Sequence, residues 1–579
     1  MSFTIISYIT HGELNGTRST LDEFHGFLRM FARSKVVYAC SAINCLLKPW
    51  QRAEWGIHES LIRESFPTEI ANLLIEMCTS ADHTKVRRLV FHRLQTIFVA
   101  KEAIKICPPE GRDPGTEPFW GGLGRAFLMA NDHLHYDLPK AESPMGEKKR
   151  ILTQFIPVGE YSSRYWLKSN MSRAFLLLSR FANTFRGTPD FIDLSEQLTK
   201  LTGLTLDEFY SLGIGTLSQY MNTDMAALKA DSTTLLISKT FFQDTAIDPQ
   251  KGERFVSGIN SDAKSYSEAL RERDHGPTDF TAFRDKPLYL EANNSFAIDT
   301  VFLADKLDSG VFWTIHNAME SDAEKERLHR LWGAIFEEYV NWILRESVDN
   351  KLNILHESPI FEDNGEQVCD AIVICGSEAA FLEYKGATFT ARAKYSGDIE
   401  LLTGEIDKKL AHEDDKKGVY QLSRSIMDVF RRSSPRRIKG IYISKLAFIY
   451  PVLVTRDSLG GSIFLSWYLN THYQRKINRK LIRPFVSTPL FCTSVQGIEE
   501  LSGYLKEATM TSILHAWYKK DPQLLSTFLA VDNSVIRQIG QRSNKGLDEA
   551  LDKLWDGATN LLFPDHEAIM GPIAPKHLT

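Results

Sequence analysis

Asp370, Glu383 and Lys385 stand out because they interrupt two apolar segments of the chain. Asp370 lies in VCDAIVIC at residues 368–375, and the other two lie in AFLEYKG at residues 380–386. Both segments are typical of buried strands, and a strand would place Glu383 and Lys385 on the same face. Burying carboxylates and an ammonium is unfavourable unless they bind something. We therefore interpret these residues as a candidate site for a hard cation and a phosphate ester.

The elements around this site form a predicted α/β unit. Ser321 and Glu324 fit a capping box that opens a helix ending near residue 345, and a second helix is expected at residues 418–430. A charged loop is predicted between them at residues 398–417. Strands are predicted at residues 352–357, 368–375, 379–385, 439–444 and 450–455. This order predicts a mixed central sheet flanked by helices.

The order of a helix Glu, a strand Asp, a strand Glu-x-Lys and a helix Gln resembles the PD-(D/E)XK superfamily of nucleases, also called restriction-endonuclease-like. The matching pieces lie within residues 283–455 and are GAIFEE at 333–338, CD at 369–370, EYK at 383–385 and VYQL at 419–422. Cys369 replaces the proline of the motif. Ser425 stands where some subfamilies carry a tyrosine, so the exonuclease branch is not assigned.

The resemblance implies roles for five residues. Asp370 and Glu383 would hold Mg²⁺, with Mn²⁺ as a substitute, and Lys385 would position or activate the attacking water. A helix glutamate would hold metal-bound water or a second metal, and Gln421 would support the site or contact the nucleic-acid backbone. We choose Glu337 as the helix acid, because Gly333 lies one turn before it and leaves room for another group. Glu338 remains the alternative.

The resemblance implies a metal-dependent nuclease that hydrolyses phosphodiester bonds. We favour a DNA endonuclease over one that acts on RNA, and microbial defence or mobile-element biology as its context. The alternative is a non-catalytic nucleic-acid-binding or scaffold subunit with a nuclease-like fold. In a purely structural interpretation, Asp370 and Lys385 form a buried salt bridge and Glu383 is half solvated.

Positive charge is concentrated after the second helix. Residues 431–483 contain twelve Lys and Arg residues and one acid, a net charge of +11, whereas the whole chain carries −5. Such segregation suits a surface that follows phosphates. The residues predicted to bind nucleic acid are Arg431, Arg432, Arg436, Arg437, Arg475, Lys476, Arg479 and Lys480. A solvated face or a site for an acidic protein is the alternative.

The length of 579 residues predicts several domains. We expect a mostly helical recognition or regulatory region at 1–275, with a break near 108–149, then the nuclease-like domain at 280–490 and a helical segment at 491–579. The seven cysteines form no C-x-x-C pair, and we find no signal peptide or membrane span. A cytoplasmic protein is therefore expected. We find no ATPase motif, so a separate ATPase or sensor protein is a candidate partner, as is a second copy in a homodimer.

Overall fold

The chain is described here by a computed structural model. It describes residues 5–48, 55–80, 86–113, 122–135, 138–162, 167–231, 233–349, 351–412, 417–457, 459, 462–478, 482, 486–520, 533–540 and 542–564. Within these residues, helices predominate and surround three small sheets in a mixed α/β architecture.

The strands form three sheets. They are β1 Ile5–Tyr8, β2 Val86–Leu89, β3 Ile237–Ser238, β4 Asn260–Asp262, β5 Leu288–Glu291, β6 Asn294–Ala297, β7 Ile354–Glu357, β8 Ala371–Cys375, β9 Glu378–Lys385, β10 Phe448–Thr455, β11 Val486–Ser487 and β12 Phe491–Ser494. β1 and β2 pair with each other, β3 to β6 form a four-stranded sheet, and β7 to β12 form a six-stranded sheet.

Helices surround these sheets. The first fourteen are α1 His11–Asn15, α2 Leu21–Leu28, α3 Arg33–Leu47, α4 Trp55–Ser65, α5 Thr68–Thr79, α6 Arg93–Ile106, α7 Gly124–Asn131, α8 Pro144–Ser162, α9 Leu167–Leu176, α10 Leu194–Thr202, α11 Leu206–Met221, α12 Met225–Ala230, α13 Pro249–Ile259 and α14 Ala263–Arg273. The others are α15 Thr281–Asp285, α16 Thr300–Leu307, α17 Ser309–Ala318, α18 Asp322–Ser347, α19 Ala391–Tyr395, α20 Ile399–Leu410, α21 Val419–Phe430, α22 Ile463–Lys476, α23 Val495–Ser502, α24 Met510–Lys520, α25 Ser534–Ile539 and α26 Lys545–Leu562. No helix among the described residues is both long and apolar enough to cross a lipid bilayer.

The six-stranded sheet carries the predicted site residues. Its strand order is β11-β10-β9-β8-β7, and β12 pairs with β10 on the same edge as β11. The pairs β7–β8 and β8–β9 are antiparallel, whereas β10 is parallel to β9, β11 and β12. Ala371 lies opposite Leu382, and Thr455 lies opposite Lys385. The start of β8 and the ends of β9 and β10 therefore meet at one end of the sheet.

Alternation along β9 places its side chains in two hydrophobic cores. Leu382 and Tyr384 belong to a core that also contains side chains of α18, and Phe381 belongs to a second core with side chains of α21. All but the two ends of β9 is buried, since helices cover both faces. This double coverage explains why the strand reads as a nearly continuous apolar run.

α18 begins where its capping box predicts. The Ser321 hydroxyl accepts a hydrogen bond from the Glu324 N–H, and the Glu324 carboxylate accepts one from the Ser321 N–H. The helix then buries a stripe that includes Ile335 and Tyr339. It continues to Ser347, slightly beyond the predicted end.

Two segments differ from the expectation. Residues 399–410 form the helix α20, not a charged loop, because Leu402, Ile406 and Leu410 share one buried face and Asp398 caps the first turn. Residues 439–444 form no strand. Ile441 makes only an isolated bridge to Ile438, and a 3₁₀ turn follows at Ile443–Lys445. Without a neighbouring strand to pair with, the apolar residues of that segment pack as a loop.

Hydrogen bonds link the regions on either side of residues 275–280. The hairpin β5–β6 pairs with β3 and β4 in one sheet. Farther along the chain, Arg173 of α9 binds Glu499 of α23 at 2.8 Å, and the Tyr339 hydroxyl of α18 donates to the same carboxylate at 2.6 Å. The predicted break at 108–149 contains α7 and the start of α8, and its residues 114–121 and 136–137 lie outside the described residues.

Candidate functional site

The sheet brings Asp370, Glu383 and Lys385 to one end. Asp370 lies immediately before β8, not inside a strand as predicted, and its N–H donates to the Leu382 carbonyl at 3.0 Å. The charges of Lys385 and Asp370 both act on the pKa of Glu383, so the three side chains lie close together. The three predicted residues therefore belong to one cluster.

Local hydrogen bonds hold the Asp370 carboxylate in place. One oxygen accepts the backbone N–H of Tyr384 at 2.5 Å, and the other accepts the side-chain amide of Gln367 at 3.0 Å. The Tyr384 side chain lies on the opposite face, where its hydroxyl donates to Asn341 of α18 at 3.2 Å. Backbone and amide contacts, not Lys385, thus fix Asp370.

Glu383 is fully buried and only half satisfied. Its Oε1 accepts a hydrogen bond from the Lys385 ammonium at 2.6 Å. Its Oε2 is buried without a hydrogen-bond partner. A buried carboxylate oxygen without a hydrogen-bond donor is unfavourable. The Glu383 Oε2 is therefore suited to bind a cation. The structural salt-bridge interpretation expected Glu383 to be half solvated, and the structure shows that it is buried.

Glu337 approaches the same cluster from α18. The charges of Asp370 and Lys385 both act on its pKa, so its carboxyl lies close to theirs. Glu338 turns elsewhere, because its carboxylate lies 3.6 Å from Arg345, which also binds Glu357 at 2.6 Å. The helix acid within reach of the cluster is therefore Glu337.

Gly386 lets α18 pass close to the end of β9. A Cβ on Gly386, the residue after Lys385, would lie 3.3 Å from the Cα of Gly333 and 3.7 Å from the Cβ of Phe336. A Cβ on Gly333 itself would meet no atom within 4 Å, so the room that this glycine leaves is open. The close approach of Gly386 to α18 brings Glu337, one turn along the helix, to the strand ends.

The acids of the cluster resist ionisation. Burial raises the pKa of Glu383 to about 8, an effect that Lys385 opposes and Asp370 reinforces. Burial also raises the pKa of Glu337 to about 7, with a further contribution from Asp370. The pKa of Asp370 is raised by burial against the opposing hydrogen bond from Tyr384. The cluster therefore has less positive charge than its carboxylates need.

Gln421 lines a cleft of about 310 Å³. Gln367 also lines this cleft and connects it to the cluster through its bond to Asp370. The cleft contains both positive and negative side chains. Its other lining residues are Phe361, Glu366, Arg424, Ser425, Asp428 and Arg436.

The first half of the predicted basic surface is largely paired. Arg436 binds Asp363 at 2.7 Å, and its guanidinium lies 3.6 Å from the ring centroid of Phe361. Arg431 binds Asp428 at 2.9 Å, and the Arg432 Nε donates to the Ile482 carbonyl at 2.5 Å. These residues hold loops together.

Arg437 is exposed in the same region, and the second half of the surface is also exposed. Arg475 and Lys476 end α22 beside β11, since the Tyr473 hydroxyl lies 2.8 Å from that of Ser487. β11 pairs with the first residues of β10, whereas Lys385 pairs with the last. At the rise per residue of a strand, the two ends of β10 lie about 20 Å apart. Arg479 and Lys480 lie outside the described residues.

The cluster fits a magnesium ion in its donor types. Mg²⁺ prefers oxygen ligands and takes one or two carboxylates, with waters and substrate phosphates completing its shell. Asp370 and Glu383 supply these carboxylates, and the Glu383 Oε2 lacks another partner. No group of three or more His, Cys, Asp or Glu side chains suited to a metal was found among the described residues. Glu337, Asp370 and Glu383 are therefore not placed as three ligands of one ion, and only Asp370 and Glu383 are candidates for direct ligands.

Gln367 and Asn341 support the cluster and were not predicted. Gln367 donates a hydrogen bond to Asp370, three residues away in sequence. Asn341 accepts one from Tyr384, 43 residues away. For Gln367, its position three residues before the motif Asp was an available signal. Asn341 offered a weaker one, as a polar residue on the buried stripe of α18.

Comparison with known proteins identifies no relative: no family model, curated protein or solved structure matches the chain. The PD-(D/E)XK resemblance therefore rests on the four short motifs within residues 333–422 and on the arrangement of their side chains.

Proposed function

We propose that the chain is a metal-dependent nuclease whose centre is formed by Glu337, Asp370, Glu383 and Lys385. The observation that carries this proposal is the buried Glu383 Oε2, which no donor satisfies, within a cluster of three acids whose pKa values are all raised. Unfavourable buried charges of this kind occur at sites where a bound ligand compensates them. A divalent cation is the ligand that compensates them here.

Asp370 and Glu383 would hold the metal, and a bound Mg²⁺ would supply a more acidic water and charge neutralisation on the phosphate. Lys385 is partly exposed beside them, so its ammonium is placed to bind the attacking water or the scissile phosphate. The bonds from Tyr384 and Gln367 fix the orientation of Asp370. Glu337 would accept hydrogen bonds from metal-bound water.

The substrate is nucleic acid, with DNA favoured over RNA and internal cleavage over digestion from an end. Arg475 and Lys476 provide exposed positive charge near the other end of β10, whose two ends lie about 20 Å apart, a span within reach of a short duplex. The seven cysteines are buried thiols, in keeping with a reducing cytoplasm. We place the protein in microbial defence or mobile-element biology by analogy with other nucleases joined to a large additional region.

A non-catalytic subunit that binds nucleic acid is the second candidate. The observation that favours it is the 2.6 Å ion pair of Lys385 with Glu383, because such a pair also serves as a structural contact. This candidate leaves the Glu383 Oε2 unexplained. It predicts binding of nucleic acid without cleavage.

The test is a cleavage assay on four nucleic acids. Purified protein is incubated with supercoiled plasmid, linear duplex, single-stranded DNA and RNA, each with Mg²⁺, Mn²⁺ or EDTA. We expect nicked and linear plasmid with either metal and none with EDTA. Full activity in EDTA would refute the metal mechanism, and binding without cleavage under every condition would favour the non-catalytic candidate.

A further inference from the structure

Arg456 follows β10 directly, and its backbone adjoins Lys385 of the proposed centre, whereas its side chain lies on the face of the sheet that α18 covers. Its N–H donates to the carbonyl of Lys385 at 3.0 Å, and its neighbour Thr455 pairs with Lys385 in the sheet. β9 and β10 are parallel, so both carboxyl ends meet here. In α/β sheets, ligands bind outside the carboxyl ends of the strands. Arg456 thus occupies a position that favours ligand binding.

The guanidinium of Arg456 is held by aromatic rings. It lies 4.5 Å from the ring centroid of Trp332 and 5.1 Å from that of Phe312. Trp332 belongs to α18, the helix that also carries Glu337. Stacking on two rings restricts the orientation of the guanidinium and reduces the entropy that it loses on binding.

Arg456 has no counter-ion among the described residues. The carboxylates whose charges act on its pKa are those of Asp308 and Asp457, and each pairs with another cation. Asp308 lies 3.6 Å from Arg173, and Asp457 lies 3.7 Å from Lys394. Burial consequently lowers the pKa of Arg456 to about 10, well below the usual range of an arginine. A charge so desolvated and unpaired binds an anion strongly.

One edge of this guanidinium remains open. Nη1 is buried without a hydrogen-bond partner, whereas Nε and Nη2 are neither buried in this way nor bonded to another described group. Arg456 as a whole is half-buried. The Nε and Nη2 groups of arginine together donate a bidentate pair of hydrogen bonds to two oxygens of a phosphate.

We propose that Arg456, oriented by Trp332 and Phe312, binds a phosphate of the substrate strand on the α18 side of β10. This inference rests on the proposed nuclease function, because a strand that crosses the carboxyl ends of β9 and β10 would pass both Lys385 and Arg456. The site recognises a phosphate oxyanion, so a free phosphate or phosphorylated small molecule is the other source of the same chemistry.

The test measures binding in EDTA, where no cleavage interferes. The affinity of a labelled single-stranded oligonucleotide is measured by fluorescence anisotropy at several salt concentrations. Arg456→Met should bind about tenfold more weakly, and its slope of log affinity against log salt should fall by about one. Arg456→Lys keeps the charge and loses the bidentate pair of hydrogen bonds, so it should bind several-fold more weakly with the slope of the parent. Arg63→Met, on the exposed surface of α4, is the matched control and should bind like the parent.

A second measurement separates the two phosphate sources and any misfolding. The melting temperature is recorded with inorganic phosphate and with chloride at equal ionic strength. If phosphate stabilises the parent and Arg63→Met but not Arg456→Met, Arg456 binds an oxyanion. If the oligonucleotide does not bind in that case, the ligand of the site is a small phosphorylated molecule. Equal oligonucleotide affinity and equal phosphate response in parent and Arg456→Met overturn the inference. Cleavage by the parent, scored separately, decides the nuclease proposal.

Discussion

At the scale of residues, the decisive feature is the electrostatic frustration of Glu383. Its carboxyl is buried with one oxygen bound by Lys385 and the other without a donor. Natural proteins rarely leave a buried polar atom unsatisfied unless it has a function. The neighbouring Glu337 and Asp370 add negative charge, so a cation is the simplest group that completes the cluster.

The stability of the metal-free protein should fall as the pH rises from about 4.5 to about 8. The pKa of Glu383 is about 8 and that of Glu337 about 7 in the folded state, above the value of about 4.3 in an unfolded chain. The folded state therefore binds more protons across this interval and loses stability as they leave. Glu383→Gln removes one of these groups.

Melting in EDTA measures this effect. Above pH 8, Glu383→Gln should melt at a higher temperature than the parent, and the difference should shrink below pH 6. Glu378→Gln, at the far end of the same strand, is the control and should follow the parent. A pH-independent difference between Glu383→Gln and the parent would mean that the Glu383 carboxyl is not held protonated by burial.

Glu337 and Glu338 form a matched pair for assigning the helix acid. Glu337→Gln should reduce cleavage by about 10- to 100-fold, the usual effect of removing a group that orients metal-bound water. Glu338→Gln should cleave like the parent, because Glu338 faces Arg345. Rates are compared at saturating Mg²⁺. The reverse pattern would move the assignment to Glu338.

At the scale of elements, the site depends on how closely α18 passes the end of β9. Gly386→Ala would place a methyl group 3.3 Å from the Gly333 backbone, and α18 would have to move by a few tenths of an ångström. We expect a loss of stability of about 1–3 kcal/mol and a larger relative loss of cleavage, since Glu337 moves with the helix.

Gly404→Ala is the control for this substitution. Gly404 lies within α20, and no atom lies within 4 Å of the position that its Cβ would take. Alanine should therefore stabilise that helix slightly and leave cleavage unchanged. If Gly386→Ala retained full cleavage and stability, the close approach of the two backbones would not position the site.

The sequence predicted the elements around the site better than their contacts. The capping box located the start of α18, and the period of a strand put Glu383 and Lys385 on one face. The buried stripe of α20 was also readable, but its many charged residues masked it. The partnerless Glu383 oxygen could not be predicted, because it depends on cross-strand register and on what packs over the strand. The pairing of Arg436 with Asp363 joins residues 73 positions apart and was likewise hidden.

At the scale of the whole molecule, the surface proposed to bind substrate is distant from the proposed catalytic centre. Arg475 and Lys476 are exposed at the end of α22, at the opposite end of β10 from Lys385. Arg475→Ala with Lys476→Ala should weaken binding of unrelated DNA sequences alike and lower the salt slope by about two. Arg63→Ala with Lys200→Ala, two exposed cations of α4 and α10, is the control of equal charge. An unchanged slope would assign the α22 surface to another ligand, with an acidic protein as the next candidate.

The central claim is that Glu383 holds a catalytic metal, and the most direct measurement compares cleavage rates of three proteins. Parent, Glu383→Gln and Glu378→Gln are assayed with Mg²⁺ on the substrate that the parent cleaves best, with folding checked by melting. The account predicts a loss of about a hundredfold or more for Glu383→Gln and none for Glu378→Gln. A folded Glu383→Gln protein that cleaves at the rate of the parent would contradict it.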